Sequence, residues 1–248
     1  MTPEGLGPVV REVTSMRAVV FQHEEHEGPG LLAPALQAAG FTLVPRFRTV
    51  RREDVDAELL VVMGGRMAVY ESDEHPFLRQ ELGILMERLA YERPCLGFCL
   101  GAQMLASAAG ANVFAGKNGL EVGVGPVRWT TAAQQDPVVS GAKPRTVVAH
   151  WHGDTYEPVP EATLLASTDR YTQQAFRLGT SYGFQFHLEL TATELGRWLD
   201  IEADSLQQRG KNLQELKAQL PKLKAAEADN TEVLHRLANH FARVAAGR

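Results

Sequence analysis

Short apolar segments alternate with helical patterns over the first 110 residues, and this alternation is the feature that most constrains the fold. The apolar segments are unbroken runs of mostly aliphatic or β-branched residues, as expected for strands buried on both faces of a parallel sheet. They run from Ala18 to Phe21, Phe41 to Val44, Leu59 to Met63 and Cys95 to Phe98. Residues 31–39 and 77–89 have apolar positions at helical spacing. The alternation predicts an α/β fold in which right-handed crossovers place helices on both faces of a mostly parallel central sheet.

After Gly110 the pattern changes to short strand-like segments separated by turn residues. These segments span residues 121–129, 146–150, 163–167, 174–178 and 181–187. They predict a more antiparallel continuation of the same sheet. From Thr191 onward apolar residues return at helical spacing, and Pro221 is expected to interrupt the middle helix of this C-terminal region.

No linker-like segment divides the chain, so the sequence predicts one domain. Residues 1–16 are rich in glycine and proline and are expected to form a flexible N-terminal lead-in. Residues 17–196 are expected to form the α/β domain, and residues 197–248 a helical C-terminal extension that packs on it.

Composition and charge exclude several classes of function. Of the 248 residues, 44% are hydrophobic and 22% are charged, which is typical of a globular protein. The 25 Lys and Arg residues against 30 Asp and Glu residues give a net charge of −5, which argues against a broad surface for nucleic acid or anionic lipid. Because the sequence has neither a membrane-length apolar run nor the apolar core of a secretory signal, we expect a cytoplasmic protein that binds no membrane.

The two cysteines occupy different sequence contexts. Cys95 lies within an apolar run and is expected to be a structural core residue, whereas Cys99 lies between Gly97 and Gly101 at the end of that run. A strand, a Gly-x-Cys-x-Gly turn and a helix beginning near Leu100 together predict a nucleophile elbow. The glycines permit a sharp turn, and the helix N-terminus favours a thiolate, so Cys99 is the candidate nucleophile.

A cysteine nucleophile requires a base, and the end of a later apolar run supplies one. His187 and Glu189 lie two residues apart, so in an extended chain they face the same side and the carboxylate can orient the imidazole. Gly64 and Gly65 follow the buried run that begins at Leu59, and their backbone N–H groups could bind an oxyanion.

These motifs resemble the class I glutamine amidotransferase family. The resemblance covers residues 17–196 and rests on four separated segments in order: 63–65, 97–103, 152–154 and 186–189. The chain looks most similar to the stand-alone proteins related to the amidotransferase domain of guanosine monophosphate synthetase. The family implies a flavodoxin-like α/β domain that hydrolyses the side-chain amide of glutamine.

The resemblance also implies a role for individual residues. Cys99 would attack the carboxamide carbon, His187 would transfer the proton to departing ammonia, and Glu189 would orient His187. The backbone N–H groups of Gly65 and Leu100 would form the oxyanion hole. The residues expected to contact the substrate are Gly64, Gln103, His150, Trp151 and His152.

The expected partners follow from what the family does with ammonia. The chain lacks a recognisable ATP-binding loop, so ammonia would go to an unidentified acceptor, one possibility being a separate synthetase subunit. The substrate would be glutamine or a related γ-glutamyl small molecule, and no cofactor is expected. The oligomeric state stays open.

Two alternative functions and two alternative sites are compatible with parts of the sequence. The same residues could serve a γ-glutamyl peptide or conjugate hydrolase with a wider pocket, or the chain could be a non-catalytic regulatory subunit. The segment from His23 to Glu27 is a chemically suitable metal site but is expected to be a polar loop beside the cleft. His150, His152 and Asp154 are expected to belong to the cleft wall, and no metal is expected.

Overall fold

The computed structural model describes residues 16–247. Apart from Met16, the expected N-terminal lead-in therefore lies outside the described residues. The strands are β1 (Met16–Gln22), β2 (Phe41–Phe47), β3 (Leu59–Val62), β4 (Cys95–Phe98), β5 (Val113–Ala115), β6 (Glu121–Trp129), β7 (Arg145–His152), β8 (Asp154–Tyr156), β9 (Thr163–Ser167), β10 (Ala175–Leu178) and β11 (Ser181–Phe184). The α-helices are α1 (Leu32–Ala38), α2 (Pro76–Ala90), α3 (Leu100–Ala108), α4 (Ala192–Ile201), α5 (Ala203–Gln208), α6 (Leu213–Lys217) and α7 (Leu220–Ala246).

One nine-stranded sheet carries the fold, in the order β2-β1-β3-β4-β11-β10-β9-β6-β7. The pairings from β2 to β11 are parallel, and those from β11 to β7 are antiparallel. Strands β5 and β8 form a separate antiparallel pair. The predicted α/β fold with a mostly parallel sheet is confirmed, and the antiparallel continuation is present where the turn-rich pattern placed it.

The core lies on both faces of the sheet because the central strands are buried on both sides. All four residues of β3 and of β4 are buried. Successive residues alternate between two apolar clusters, so Leu96 and Phe98 pack on one face while Cys95 packs on the other. Cys95 is fully buried in that second cluster, in agreement with its expected structural role.

The C-terminal helices pack against the same sheet. Helix α7 contributes Val233, Leu234 and Phe241 to the apolar cluster that contains Phe184. Pro221 lies in the first turn of α7, where a missing N–H costs no intrahelical hydrogen bond. The predicted interruption is therefore present, and it separates α6 from α7. Within residues 16–247, no helix is long and apolar enough to cross a membrane.

Candidate active site

Cys99 lies at a sharp turn between β4 and α3. Its backbone has φ +50° and ψ −109°, in a region that residues with a side chain rarely adopt. The Cys99 N–H donates to the carbonyl of Phe184 at 2.8 Å, and its carbonyl accepts from the N–H groups of Ala102 and Gln103, both at 3.1 Å. These bonds hold the unfavourable conformation in place, as expected where a functional side chain must be presented from a turn.

The two glycines of the turn are required by packing. A β-carbon at Gly97 would collide with the backbone of Gly101, and one at Gly101 would collide with the carbonyl of Val62 in β3. The first turn of α3 therefore lies directly against two strands of the sheet. This close approach directs the N-terminus of α3 at Cys99, where the helix dipole stabilises negative charge.

His187 is positioned by backbone pairing beyond the end of β11. Strand β11 ends at Phe184 rather than at residue 187 as the sequence predicted, but His187 and Ala149 still exchange two backbone hydrogen bonds, of 2.9 and 3.3 Å. His187 Nδ1 lies 2.6 Å from Glu189 Oε1, and both side chains are 1% exposed. The indole of Trp198 packs edge-on against the imidazole, with ring centroids 5.2 Å apart.

The second nitrogen of His187, Nε2, is buried without a hydrogen-bond partner among residues 16–247, and both His187 and Cys99 lie beside Gly64. Burial lowers the pKa of His187, but the charge of Glu189, the hydrogen bond to it and the nearby Cys99 outweigh that effect and raise the pKa well above its ordinary value. A histidine that holds its proton in this way can form an ion pair with a neighbouring thiolate. The Cys99 thiol also lies 3.4 Å from the carbonyl oxygen of Trp151.

Gly64 and Gly65 approach the same point from the end of β3. A β-carbon at Gly64 would lie 3.4 Å from His187 Cε1 and 3.7 Å from Cys99 Cβ, and at Gly65 one would lie 3.0 Å from Leu100 Cδ2. Leu100 begins α3, so its N–H is among those at a helix start that have no intrahelical acceptor. The structure thus brings together the residues that the sequence motifs predict as an oxyanion hole.

Cys99 opens into a cavity of about 560 Å³. Gln103 lines this cavity and donates through Nε2 to Gln185 Oε1 at 3.1 Å, which fixes its amide. Trp151 and His152 also line it, as expected. Charged residues complete the wall: His26, Glu27, Arg66, Glu71, Asp154, Glu202 and Arg209.

Glu27 is a buried carboxyl group beside the histidine. Its Oε2 lies 2.5 Å from the position that a β-carbon on Gly64 would occupy. Burial raises the pKa of Glu27 to about 7; the nearby His187 lowers it, and the like charges of Glu24 and Glu189 raise it. Near neutral pH this carboxyl group therefore changes between its protonated and ionised forms, next to the histidine.

His150 does not line the cavity. Its side chain lies near Glu121 instead and lines a second, smaller cavity. Contact between His150 and the substrate stays a prediction. Glu121, His150 and His152 bring three potential metal-binding atoms within 4.8 Å of one another.

Several cavity residues were missed because their sequence context carries no signal. Trp198, Glu202 and Arg209 come from α4 and the segments after it, a region that the sequence pattern predicts only as a helical extension. Arg66 forms an ion pair with Glu202 at 2.9 Å across the cavity rim. Only the docking of these helices on the sheet brings them to Cys99.

The fold and the site together define a class of α/β proteins that hold a cysteine at a strand–helix elbow beside a buried histidine–glutamate pair. The family model of class I glutamine amidotransferases matches residues 35–200. The chain therefore belongs to the class I glutamine amidotransferase family.

Individual relatives agree with this assignment. The chain is 28% identical over 184 residues to a glutamine amidotransferase-like protein of Salmonella typhimurium, covering 71% of this chain and 77% of that one. It is 31% identical over 162 residues to a subunit of the glutamine-hydrolysing GMP synthase of Halobacterium salinarum, covering 63% and 80%. The crystal structure of a glutamine amidotransferase from Thermotoga maritima superposes with a TM-score of 0.82 at 29% identity, covering 92% and 98%.

Proposed function

We propose that the protein hydrolyses the side-chain amide of glutamine through a thioester on Cys99. The observation that carries this proposal is the buried pair in which Glu189 holds one nitrogen of His187 beside a cysteine that is presented from an elbow. Family membership makes glutamine the expected amide donor.

The reaction follows from these positions. The Cys99 thiolate attacks the carboxamide carbon, and the oxygen that becomes negative is bound by the N–H groups of Gly65 and Leu100. Imidazolium His187 gives its proton to the nitrogen, the C–N bond breaks, and ammonia leaves. Neutral His187 then takes a proton from water, which attacks the thioester carbonyl and releases glutamate and the thiolate.

The ammonia would be used by a separate synthetase chain. The relative from Halobacterium salinarum is named as one subunit of a GMP synthase, a name that implies at least one further subunit. Gln103, with its fixed amide at the cavity wall, is proposed to bind the amino acid end of the substrate, and Gly64, Trp151 and His152 to shape the rest of the pocket.

Glutamate release from glutamine by the purified protein tests the nucleophile. We expect release by the wild type and a loss of at least about 10⁴-fold in Cys99→Ala, since the nucleophile of a comparable triad accounts for an effect of this size or larger. Cys95→Ala, which alters the other cysteine of the chain, is the matched control and should retain activity. Equal release by wild type and Cys99→Ala would contradict the proposal.

The size of the cavity favours a second candidate. A volume of about 560 Å³ lies within the range of sites for drug-sized ligands and exceeds what glutamine requires. A γ-glutamyl peptide or conjugate hydrolase would use the same residues and this extra space. Comparing kcat/KM for glutamine, γ-glutamyl peptides and γ-glutamyl amines separates the two, because each candidate predicts a different best substrate.

A further inference from the structure

A second cluster of side chains lies on the antiparallel half of the sheet. Glu121 begins β6 and is directly opposite His152 in the β6–β7 register, and His150 lies two residues before His152 on the same face. Gly123 is opposite His150 in the same register. Both histidines are 4% exposed, and one ligand atom from each of the three residues lies within 4.8 Å of the other two.

In a neutral His152 ring, the contact with Glu121 joins two hydrogen-bond acceptors. His152 Nδ1 lies 2.9 Å from the carbonyl oxygen of Asp154, which can only accept, so Nδ1 carries the proton and Nε2 of the neutral ring has a lone pair. That Nε2 lies 3.0 Å from Glu121 Oε2, a carboxylate oxygen. The lone pair of Nε2 and the carboxylate oxygen repel each other at this distance. A metal ion or a proton between the two atoms replaces that repulsion by attraction. The amide Nε2 of Gln174 is also near, 2.7 Å from the Glu121 oxygen and 3.3 Å from His152 Nε2.

His150 presents another nitrogen to the same place. Within residues 16–247 its buried Nδ1 has no hydrogen-bond partner, and it lies 4.0 Å from Glu121 Oε2. The other edge of the ring packs against Gly125, where a β-carbon would lie 3.6 Å from Nε2. His152 is oriented by a backbone carbonyl while its other nitrogen faces the carboxylate, which is the arrangement that proteins use to position metal-binding histidines, and His150 faces the same carboxylate through Nδ1.

We propose that Glu121 Oε2, His150 Nδ1 and His152 Nε2 bind a divalent transition-metal ion of the zinc type. Two imidazoles and one carboxylate suit zinc, and a fourth position would be taken by water. A cavity of about 330 Å³ opens beside Glu121 and His150 and gives the ion and its water a path to solvent. The ligand set differs from the grouping considered in the sequence, because Glu121 rather than Asp154 lies with the two histidines.

The bound ion would brace the strand that lies over Cys99. Trp151 lies between the two histidine ligands, and its carbonyl oxygen is the atom 3.4 Å from the Cys99 thiol. Its ring also packs edge-on against Trp198, with centroids 6.0 Å apart. A metal that ties β6 to β7 therefore fixes one wall of the active-site cavity, and its proposed role is structural.

Metal binding can be measured without any assay of activity. The full chain is stripped with a chelator, and Co²⁺ is titrated while the visible absorption is recorded, followed by displacement with Zn²⁺. We expect one ion per chain and the bands of four-coordinate Co²⁺. Affinity should fall at least about 10-fold in Glu121→Gln and in His150→Asn, since even changes to residues that support metal ligands cost 10- to 100-fold. Glu157→Gln and His235→Asn, at exposed positions, are the matched controls and should bind as the wild type does.

Cys99 and His187 could form a competing binding site for a thiophilic metal ion. The Cys99→Ala variant distinguishes that site from the one at Glu121, His150 and His152. The proposal requires that this variant binds Co²⁺ as the wild type does. Loss of Co²⁺ binding in Cys99→Ala with retention in Glu121→Gln would overturn the proposal. Absence of Co²⁺ binding to the wild type would also overturn it and would mean that a proton joins His152 to Glu121. Anomalous scattering from Zn²⁺-soaked crystals supplies a check independent of variants: the peak must lie about 2.0–2.2 Å from the three named atoms. None of these outcomes depends on glutamine hydrolysis.

Discussion

The two halves of the sheet contribute to the site in different ways. The parallel half supplies the elbow cysteine, the glycine pair and the histidine, all just beyond the carboxyl ends of β3, β4 and β11, where ligands bind in open α/β sheets. The antiparallel half supplies a wall through Trp151 and His152. The first half fixes reacting groups through backbone geometry, and the second shapes the space around them.

Glycine packing shows the same difference. A β-carbon at Gly101 would collide with the backbone of Val62, whereas one at Gly125 in β6 would make ordinary contacts of 3.6 Å with His150. Tolerance to substitution should therefore be low at Gly101 and high at Gly125. Three predictions test this comparison.

The largest expected effect is on the buried hydrogen bond of the parallel half. Glu189→Gln keeps the shape but removes the charge that helps to raise the pKa of His187. Glutamine hydrolysis should fall by about 10³- to 10⁴-fold, the size seen when the orienting carboxylate of a triad becomes an amide. Glutamate release measures this. Glu202→Gln, which changes a carboxylate elsewhere on the cavity wall, should have little effect.

The pH dependence of Cys99 alkylation checks the same variant. In the wild type the imidazolium persists up to the raised pKa of His187, and a neighbouring imidazolium promotes alkylation of a cysteine. In Glu189→Gln alkylation should slow at neutral pH, because His187 loses the charge that helps it to hold its proton. Identical profiles would show that Glu189 does not act through His187. A wild-type Cys99 no faster than a solvent-exposed thiol at neutral pH would favour the non-catalytic alternative.

The next effect concerns backbone packing. Gly101→Ala should destabilise the fold by about 3 kcal/mol or more, since overpacking a side chain costs about 1–3 kcal/mol and here the obstacle is backbone. Gly125→Ala should change the free energy of unfolding by less than about 1 kcal/mol. Urea denaturation of both variants measures the difference. A similar loss of unfolding free energy in Gly101→Ala and Gly125→Ala would contradict the difference between the two halves of the sheet.

The smallest predicted effect appears as a pH dependence of stability. Because the pKa of Glu27 rises from 4.5 to about 7 on folding, the native protein holds a proton that the unfolded chain releases. The wild type should therefore lose stability relative to Glu27→Gln as pH rises from about 4.5 to about 7, by on the order of 3 kcal/mol. Unfolding free energies at pH 5 and pH 8 measure this. Glu157→Gln, at an exposed position, should show the same pH dependence of the unfolding free energy as the wild type. The same pH dependence in Glu27→Gln and the wild type would contradict the prediction.

Much of the fold was predictable because its signals are local. Buried runs in the parallel strands, the glycines around Cys99 and the proline at the start of α7 each act through neighbouring backbone, so they can be recognised in sequence. The two-residue spacing of His187 and Glu189 likewise predicts the 2.6 Å contact observed between them. Strand ends were less predictable, since β11 stops at Phe184 and His187 is held by pairing with Ala149.

The sequence by itself determined the α/β architecture, the elbow and the likeness to an amidotransferase, because these depend on short-range backbone conformation and on the period of apolar residues. The tertiary structure alone decided that Glu27 lies beside His187, that Glu202 and Arg209 reach the cavity, and that His150 lies beside Glu121. Those contacts join residues far apart in the chain, and their geometry depends on how strands pair and helices dock.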